Sequence, residues 1–259
     1  MPDPTKVSDA SVIPRVGVAV FVFNEKGHIL LGKRTGSHGS GTLALPGGHL
    51  ELHESFQECA FREVLEETGI ELDPSTSEAQ PWSGISFVTA VNSVHMRDHG
   101  ETQTSSSSPP LGRHYVTIFM KARATLRPGQ ETVQALVTEP EKCLGWVWVP
   151  WSYLRAMSVS QSSIEEMKRR AESEGNRLPV GLEKLLRAER LAEAMSVTGD
   201  RDDLKRERRV GVAHDGLGPL DDEEAVAWAQ ADEFAQGSPL FQPLVNFLVQ
   251  NPHLGPGLN

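Results

Sequence analysis

The chain has 259 residues, 38% of them hydrophobic, and a formal net charge of −10. That length suffices for one sizeable core with residues left over for a subdomain or long insertion, and the acidic balance excludes a non-specific binder of nucleic-acid polymers. No apolar run approaches the roughly 18–20 residues of a membrane span, so no membrane partner is expected. Two cysteines, Cys59 and Cys143, make no disulfide framework and fit a reducing compartment. The opening MPDPTKVSDASVIP lacks both an apolar signal core and amphipathic basic character. A cytoplasmic location is therefore expected, with the nucleus left open.

In chain order, residues 1–13 read as a disordered lead-in. Arg15 to Phe23 (RVGVAVFVF) is a β-branched, aromatic run expected to form a buried strand. Asn24-Glu25-Lys26-Gly27 is a hairpin turn, and His28 to Leu31 returns as the second strand. A Gly-rich loop, Thr35 to Thr42, follows Lys33 and Arg34; its neighbourhood makes Arg34 the candidate phosphate contact, with a plain surface charge as the alternative. Further strands are expected at Ile85 to Val94, His114 to Ala124 and Gly145 to Pro150, and a serine-rich low-complexity loop lies between the first two of these. Trp151 starts a short turn or helix. Helical stretches are expected over Ser163 to Gly175, Leu182 to Met195, Asp221 to Gln236 and 238–252. Trp146, Trp148 and Trp151 read first as core residues, with one of them a candidate to stack on a base.

The informative stretch is Pro46 to Ile70, PGGHLELHESFQECAFREVLEETGI. Phe56, Ala60 and Val64, with Cys59, Phe61 and Leu65 beside them, form an apolar stripe, and Gly69 supplies a left-handed helix end. Glu63, Glu66 and Glu67 fall within one helical face. Like charges at these spacings cost about 0.2–0.5 kcal/mol per pair. A cation between them removes the cost, and oxygen-only ligands suit a hard divalent ion such as Mg²⁺. A solvated acidic face is the plainer alternative.

The stretch matches without a gap the Nudix box G-x5-E-x7-R-E-U-x-E-E-x-G-U: Gly48, Glu54, Arg62-Glu63-Val64, Glu66-Glu67, Gly69 and Ile70. His53 stands where many members carry glycine, and histidine tolerates a left-handed backbone. The chain thus resembles the Nudix hydrolases. LLGKRTGSHGSG, VNSV, HYVTIFMKA and EPEKCLGWVWVPW are similar to the MutT-type nucleotide diphosphatase branch, including the mammalian thiopurine-nucleotide diphosphatase and its plant relatives. The resemblance covers about residues 14–154. It implies an α/β fold, the Nudix α/β/α sandwich with a mixed β-sheet, and a homodimer; the residues beyond it read as a helical insertion towards the C-terminus. The expected organisation is a core over 14–157, an insertion over 158–237, and the closing helix and tail over 238–259.

By the same resemblance, Glu63 and Glu67 are the main Mg²⁺ ligands, with Mn²⁺ as a substitute. Glu66 is the next ligand and the proton acceptor, and a carbonyl of Gly47 or Gly48 completes the coordination. Arg62 orients a glutamate, Glu54 is its partner or an outer ligand, and Glu139 is a further candidate ligand. Leu45, Gly47, Gly48 and His49, with Arg34, line the path of a nucleotide substrate. The leading activity is hydrolysis of nucleoside triphosphates, oxidised or modified dGTP among them, to monophosphate and pyrophosphate. The alternatives are another nucleoside diphosphate derivative (a dinucleoside polyphosphate, nucleotide sugar, NADH or pterin triphosphate) and a non-catalytic nucleotide-sensing scaffold.

Overall fold

The computed structural model describes residues 14–36, 39–73, 84–95, 113–173 and 222–258. The expectations for the lead-in, the serine-rich loop and the helix over Leu182 to Met195 lie outside these residues. Strands β1 (Arg15–Phe23), β2 (Ile29–Arg34), β3 (Leu43–Ala44), β4 (Ser86–His95), β5 (Arg113–Arg123) and β6 (Cys143–Val149) form one six-stranded sheet. Its order is β3–β2–β1–β5–β4, with β6 paired to β2. β1 and β5 run parallel, in register from Arg15 opposite Tyr115 to Phe23 opposite Arg123, while the other pairs are antiparallel. The sheet is therefore mixed.

The helices are α1 (Phe56–Thr68), α2 (Trp151–Ser173), α3 (Asp222–Ala235) and α4 (Gln242–Gln250). Their distribution follows from the period of two in β1, which sends alternate side chains to opposite faces. Val18, Val20 and Val22 pack with Cys59, Ala60 and Val64 of α1. Phe21 and Phe23 pack on the other face with Tyr153 and Leu154 of α2, Trp228 of α3, and Leu244 and Phe247 of α4. The Phe247 ring lies 4.9 Å from Phe21 and 4.6 Å from Phe119, centroid to centroid. Each such buried side chain contributes about 1.5–3 kcal/mol. Helices on both faces of a mixed sheet make the α/β/α sandwich.

Two features differ from the sequence expectation. The turn at Trp151 opens a 23-residue helix that runs through the 157/158 position without a break. In α1 the buried face is Cys59, Ala60, Glu63, Val64 and Thr68, whereas Phe56 and Leu65 are each 38% exposed. Leu65 projects from the opposite side of the helix, because the sheet-facing stripe includes carboxylates as well as apolar groups.

Candidate active site

The site grows from a chain reversal against β1. The Val18 amide donates to Gly48 O (2.8 Å), Val20 to Pro46 O (3.0 Å), and Leu50 to Val16 O (3.2 Å), so residues 46–50 run along the strand edge. Gly47 has φ 145°, and a Cβ there would lie 2.1 Å from Val18 O. A Cβ on Gly48 would lie 2.2 Å from Glu63 Oε1. Only glycines let the backbone pass between strand and carboxylate at this distance. His53, in the loop that follows, has φ 68°, the left-handed conformation its place in the box suggested.

α1 then starts on a capping box: the Glu58 amide donates to Ser55 Oγ, and the Ser55 amide donates to Glu58 Oε2. Nearly two turns in, Arg62 holds three carboxylates. Its Nε and Nη2 donate to the two Glu54 oxygens at 2.7 and 3.0 Å, and Nη1 donates to Glu63 Oε1 (2.9 Å) and Glu66 Oε2 (3.1 Å). Nη2 also reaches the His49 carbonyl at 3.2 Å. Glu54 is thus the bidentate partner of Arg62, and its carboxyl is held below the usual range chiefly by that guanidinium.

The two sheet-facing glutamates are shifted the other way. Burial raises Glu63, and burial raises Glu67 to about 7 against a hydrogen bond from the Gly47 amide (2.9 Å) that favours its charged form. Glu63 and Glu139, both negative, push Glu67 further up, while Arg34 pulls it down. Glu139 comes from the loop before β6. That loop is pinned to the end of α1 by the Leu136 amide on Thr68 O (2.8 Å) and by the Thr138 hydroxyl on Glu66 O. Glu139 Oε1 accepts from Lys142 Nζ at 2.7 Å, whereas its Oε2 is buried with no partner among the described residues.

Among the described residues, no three His, Cys, Asp or Glu side chains already converge to hold an ion by themselves. The reason is visible in the bonding: Glu63 and Glu66 turn oxygens onto Arg62, and Glu67 onto the Gly47 amide. The donor set still suits a hard divalent cation. It consists of carboxylate oxygens, one of them buried without a partner, around a glutamate that is costly to ionise where it stands.

On the other side of the Gly47–Gly48 turn lies a cavity of about 110 Å³. It receives Arg34, Leu45, Gly47, Gly48 and His49, all five residues that the sequence proposed for substrate contact. Among its further contributors, Tyr115, Thr117, Phe119 and Phe241 were not foreseen. Gly17 and Ala19 stand opposite Thr117 and Phe119 on the same sheet face, and their small size leaves the hollow above β1. This alternation of small residues in a strand of large ones was the available signal. Arg34 lies over the Phe241 ring, 4.9 Å from its centroid. The His49 ring lies beside Tyr115, with Nε2 3.4 Å from the phenol oxygen, and partial desolvation together with Arg15 and Arg34 lowers its pKa. The tryptophans lie elsewhere: Trp146 and Trp148 pack on the α1 side of the sheet, and Trp151 beside Phe21. His114 bonds Asn92 instead of entering the cavity.

Comparison with known proteins identifies the family. The NUDIX domain family model matches residues 13–167, more than half of the chain. The zebrafish (Danio rerio) m7GpppN-mRNA hydrolase NUDT17 is 43% identical over 61 residues, which cover 23% of this chain and 20% of that protein. Among solved structures, the chain is similar to a MutT NUDIX hydrolase from Burkholderia pseudomallei (25% identity, 52% of this chain and 82% of that one, TM-score 0.37). It is also similar to a MutT protein from Methanosarcina mazei Go1 (21% identity, 56% and 82%, TM-score 0.38). With the box residues gathered around Arg62 and the family model spanning most of the sheet, the chain belongs to the NUDIX domain family.

Proposed function

We propose that this protein is a Mg²⁺-dependent hydrolase of nucleoside triphosphates, modified dGTP-like ones among them, that releases a monophosphate and pyrophosphate. One observation carries the reading. A single double-glycine turn has an acidic cluster on one side and a cavity with aromatic walls on the other. A substrate with its flat end in the cavity lays its phosphates across that turn.

Glu63, Glu66 and Glu67 are the proposed ligands, with Glu139 as a fourth donor. Mg²⁺, or Mn²⁺ in its place, supplies charge neutralisation on phosphoryl oxygens and polarises water. Arg62 keeps Glu63 and Glu66 in position through its anchor on Glu54. Glu66, the more exposed of the cluster with a side chain 54% accessible, takes the proton of the attacking water. Arg34, at the mouth of the cavity, faces the substrate's negative charge. Water attacks phosphorus, the anhydride P–O bond breaks, and pyrophosphate leaves.

The named activity of the zebrafish relative gives a second reading, hydrolysis of an m7GpppN-type cap, in which the methylated base would occupy the same cavity. A screen of pyrophosphate and phosphate release with Mg²⁺ separates the two, run across nucleoside triphosphates, capped dinucleotides, nucleotide sugars and NADH. Chelator-sensitive pyrophosphate release from dGTP-like substrates supports the first reading. Turnover confined to caps or nucleotide sugars replaces it, and silence across the panel favours a nucleotide-binding scaffold.

A further inference from the structure

One aromatic wall of the cavity, Phe241, arrives from more than a hundred residues beyond the box, and how it is held has a consequence for selectivity. Phe241 is the N-cap of α4 and makes no capping hydrogen bond with its side chain. Ser, Thr, Asp or Asn is preferred at that position, so a phenylalanine there is locally unfavourable. Such breaches of local preference concentrate where function needs the side chain.

The backbone just before it is fixed from two sides. Towards β3, the Leu43 amide donates to Pro239 O and the Phe241 amide donates to Leu43 O, both at 2.8 Å. Towards α2, one side chain takes both polar groups of Leu240. The Leu240 amide donates to Gln161 Oε1 at 2.9 Å, and Gln161 Nε2 donates to Leu240 O at 3.2 Å. Leu240 itself is buried. The Phe241 ring meets the Gly-rich loop at Gly39, where a Cβ would lie 2.7 Å from the ring, and carries Arg34 over its face.

The geometry points to Gln161 as a positioning residue: by clamping Leu240 it fixes Phe241 as the wall against which a flat aromatic base stacks, and so makes the cavity select base-bearing ligands. This rests on the proposed entry of a nucleotide base into the cavity. Gln161 touches no substrate in this scheme. It acts only through the placement of Phe241.

The test is calorimetric titration of the full-length protein with dGMP and with ribose 5-phosphate, which lacks a base. Phe241→Leu is expected to weaken dGMP binding about tenfold, the loss of one base–aromatic stack. Gln161→Met keeps the length of the side chain and removes both bonds to Leu240. It is expected to weaken dGMP binding about fivefold, the size of one net hydrogen bond, and to leave ribose 5-phosphate unchanged. Gln161→Glu, which keeps the acceptor and loses the donor, should fall between wild type and Gln161→Met and serves if the methionine variant does not fold. In the Phe241→Leu background, Gln161→Met should cost nothing more, because the wall it positions is gone.

Losses that multiply in the double variant assign Gln161 a purely structural role and overturn the inference. So does equal weakening for both ligands, a folded Gln161→Met protein with unchanged binding, or wild-type protein that binds dGMP no more tightly than ribose 5-phosphate. Absence of turnover on every triphosphate, with this binding pattern intact, sinks the hydrolase reading and leaves the inference standing.

Discussion

The acidic cluster and the aromatic cavity share the Gly47–Gly48 turn and are built by opposite physics. The cluster is local: Glu54, Arg62, Glu63, Glu66 and Glu67 lie within 14 consecutive positions, and helix geometry alone brings most of them together. It is electrostatically tense, with Glu54 stabilised as an anion by Arg62 while Glu67 is desolvated and raised to about 7. The cavity is non-local, drawing on β1, the end of β2, the turn after β3, β5 and the start of α4, and it is largely apolar. A tense local cluster is suited to bind a cation, whereas a relaxed non-local cavity is suited to select an organic group. The two halves should therefore fail independently.

The sharpest break is Glu67→Gln. If the cluster supplies several kcal/mol to the transition state, kcat should fall about a thousandfold. Binding of dGMP in the cavity should change little. Pyrophosphate release and calorimetry on one preparation check both halves, and joint loss of turnover and base binding would show that the turn does not separate them.

The second break is in pH. The Glu67 carboxyl is raised in the folded protein from 4.5 to about 7, so between those values the folded state holds a proton that the unfolded state has lost. Without metal, stability should therefore fall as pH rises through this window, by on the order of 3 kcal/mol. Glu54, shifted the opposite way, contributes stability that is lost only on acidification below the ordinary carboxyl range. Thermal melts from pH 4.5 to 8 in chelator, repeated with Glu67→Gln and with Mg²⁺, read this out. The glutamine variant should shrink the fall, leaving the share of Glu63, whose carboxyl burial also raises, and Mg²⁺ should lift the neutral end of the profile. A wild-type melt that stays level across the window would refute the assignment.

A smaller effect is expected from Gly48→Ala. The new methyl would overlap Glu63 Oε1, so the carboxylate must swing away and carry Arg62 with it. We expect kcat to fall about tenfold or more, as for other small misplacements of reacting groups, with KM for a nucleotide moving less. A change in KM alone would mean that Gly48 serves the cavity instead.

These contrasts also explain what could be read from the sequence. The cluster was legible because helical spacing turns sequence into proximity, whereas the family resemblance left Glu54 as either the partner of Arg62 or an outer ligand. The strands were legible from runs such as RVGVAVFVF, and the alternation that divides Val20 from Phe21 places the two cores. The cavity was half legible: Arg34, Leu45 and the 47–49 turn lie near the box, whereas Phe241 comes from a helix that any amphipathic pattern would have assigned to the core. Thr117, Tyr115 and Phe119 face the cavity only because β5 runs parallel to β1, and no local pattern encodes that pairing. The exposure of Leu65 was hidden because it was grouped with the apolar stripe, whereas the buried face takes in Glu63 and leaves Leu65 outside it.

The finest test concerns Thr117. The residue lines the cavity directly opposite Gly17 and is only 8% exposed. A hydroxyl on an otherwise apolar floor is positioned to read one polar atom of a base. Thr117→Val keeps the shape and removes that atom, so KM should rise for bases that offer a matching group there, by about threefold to tenfold. It should stay level for bases that do not, and kcat should not move. Comparing KM across purine and pyrimidine triphosphates in the two proteins exposes the pattern. A uniform change across all bases would mean that Thr117 shapes the cavity without reading its occupant, and selectivity would then rest on the aromatic wall alone.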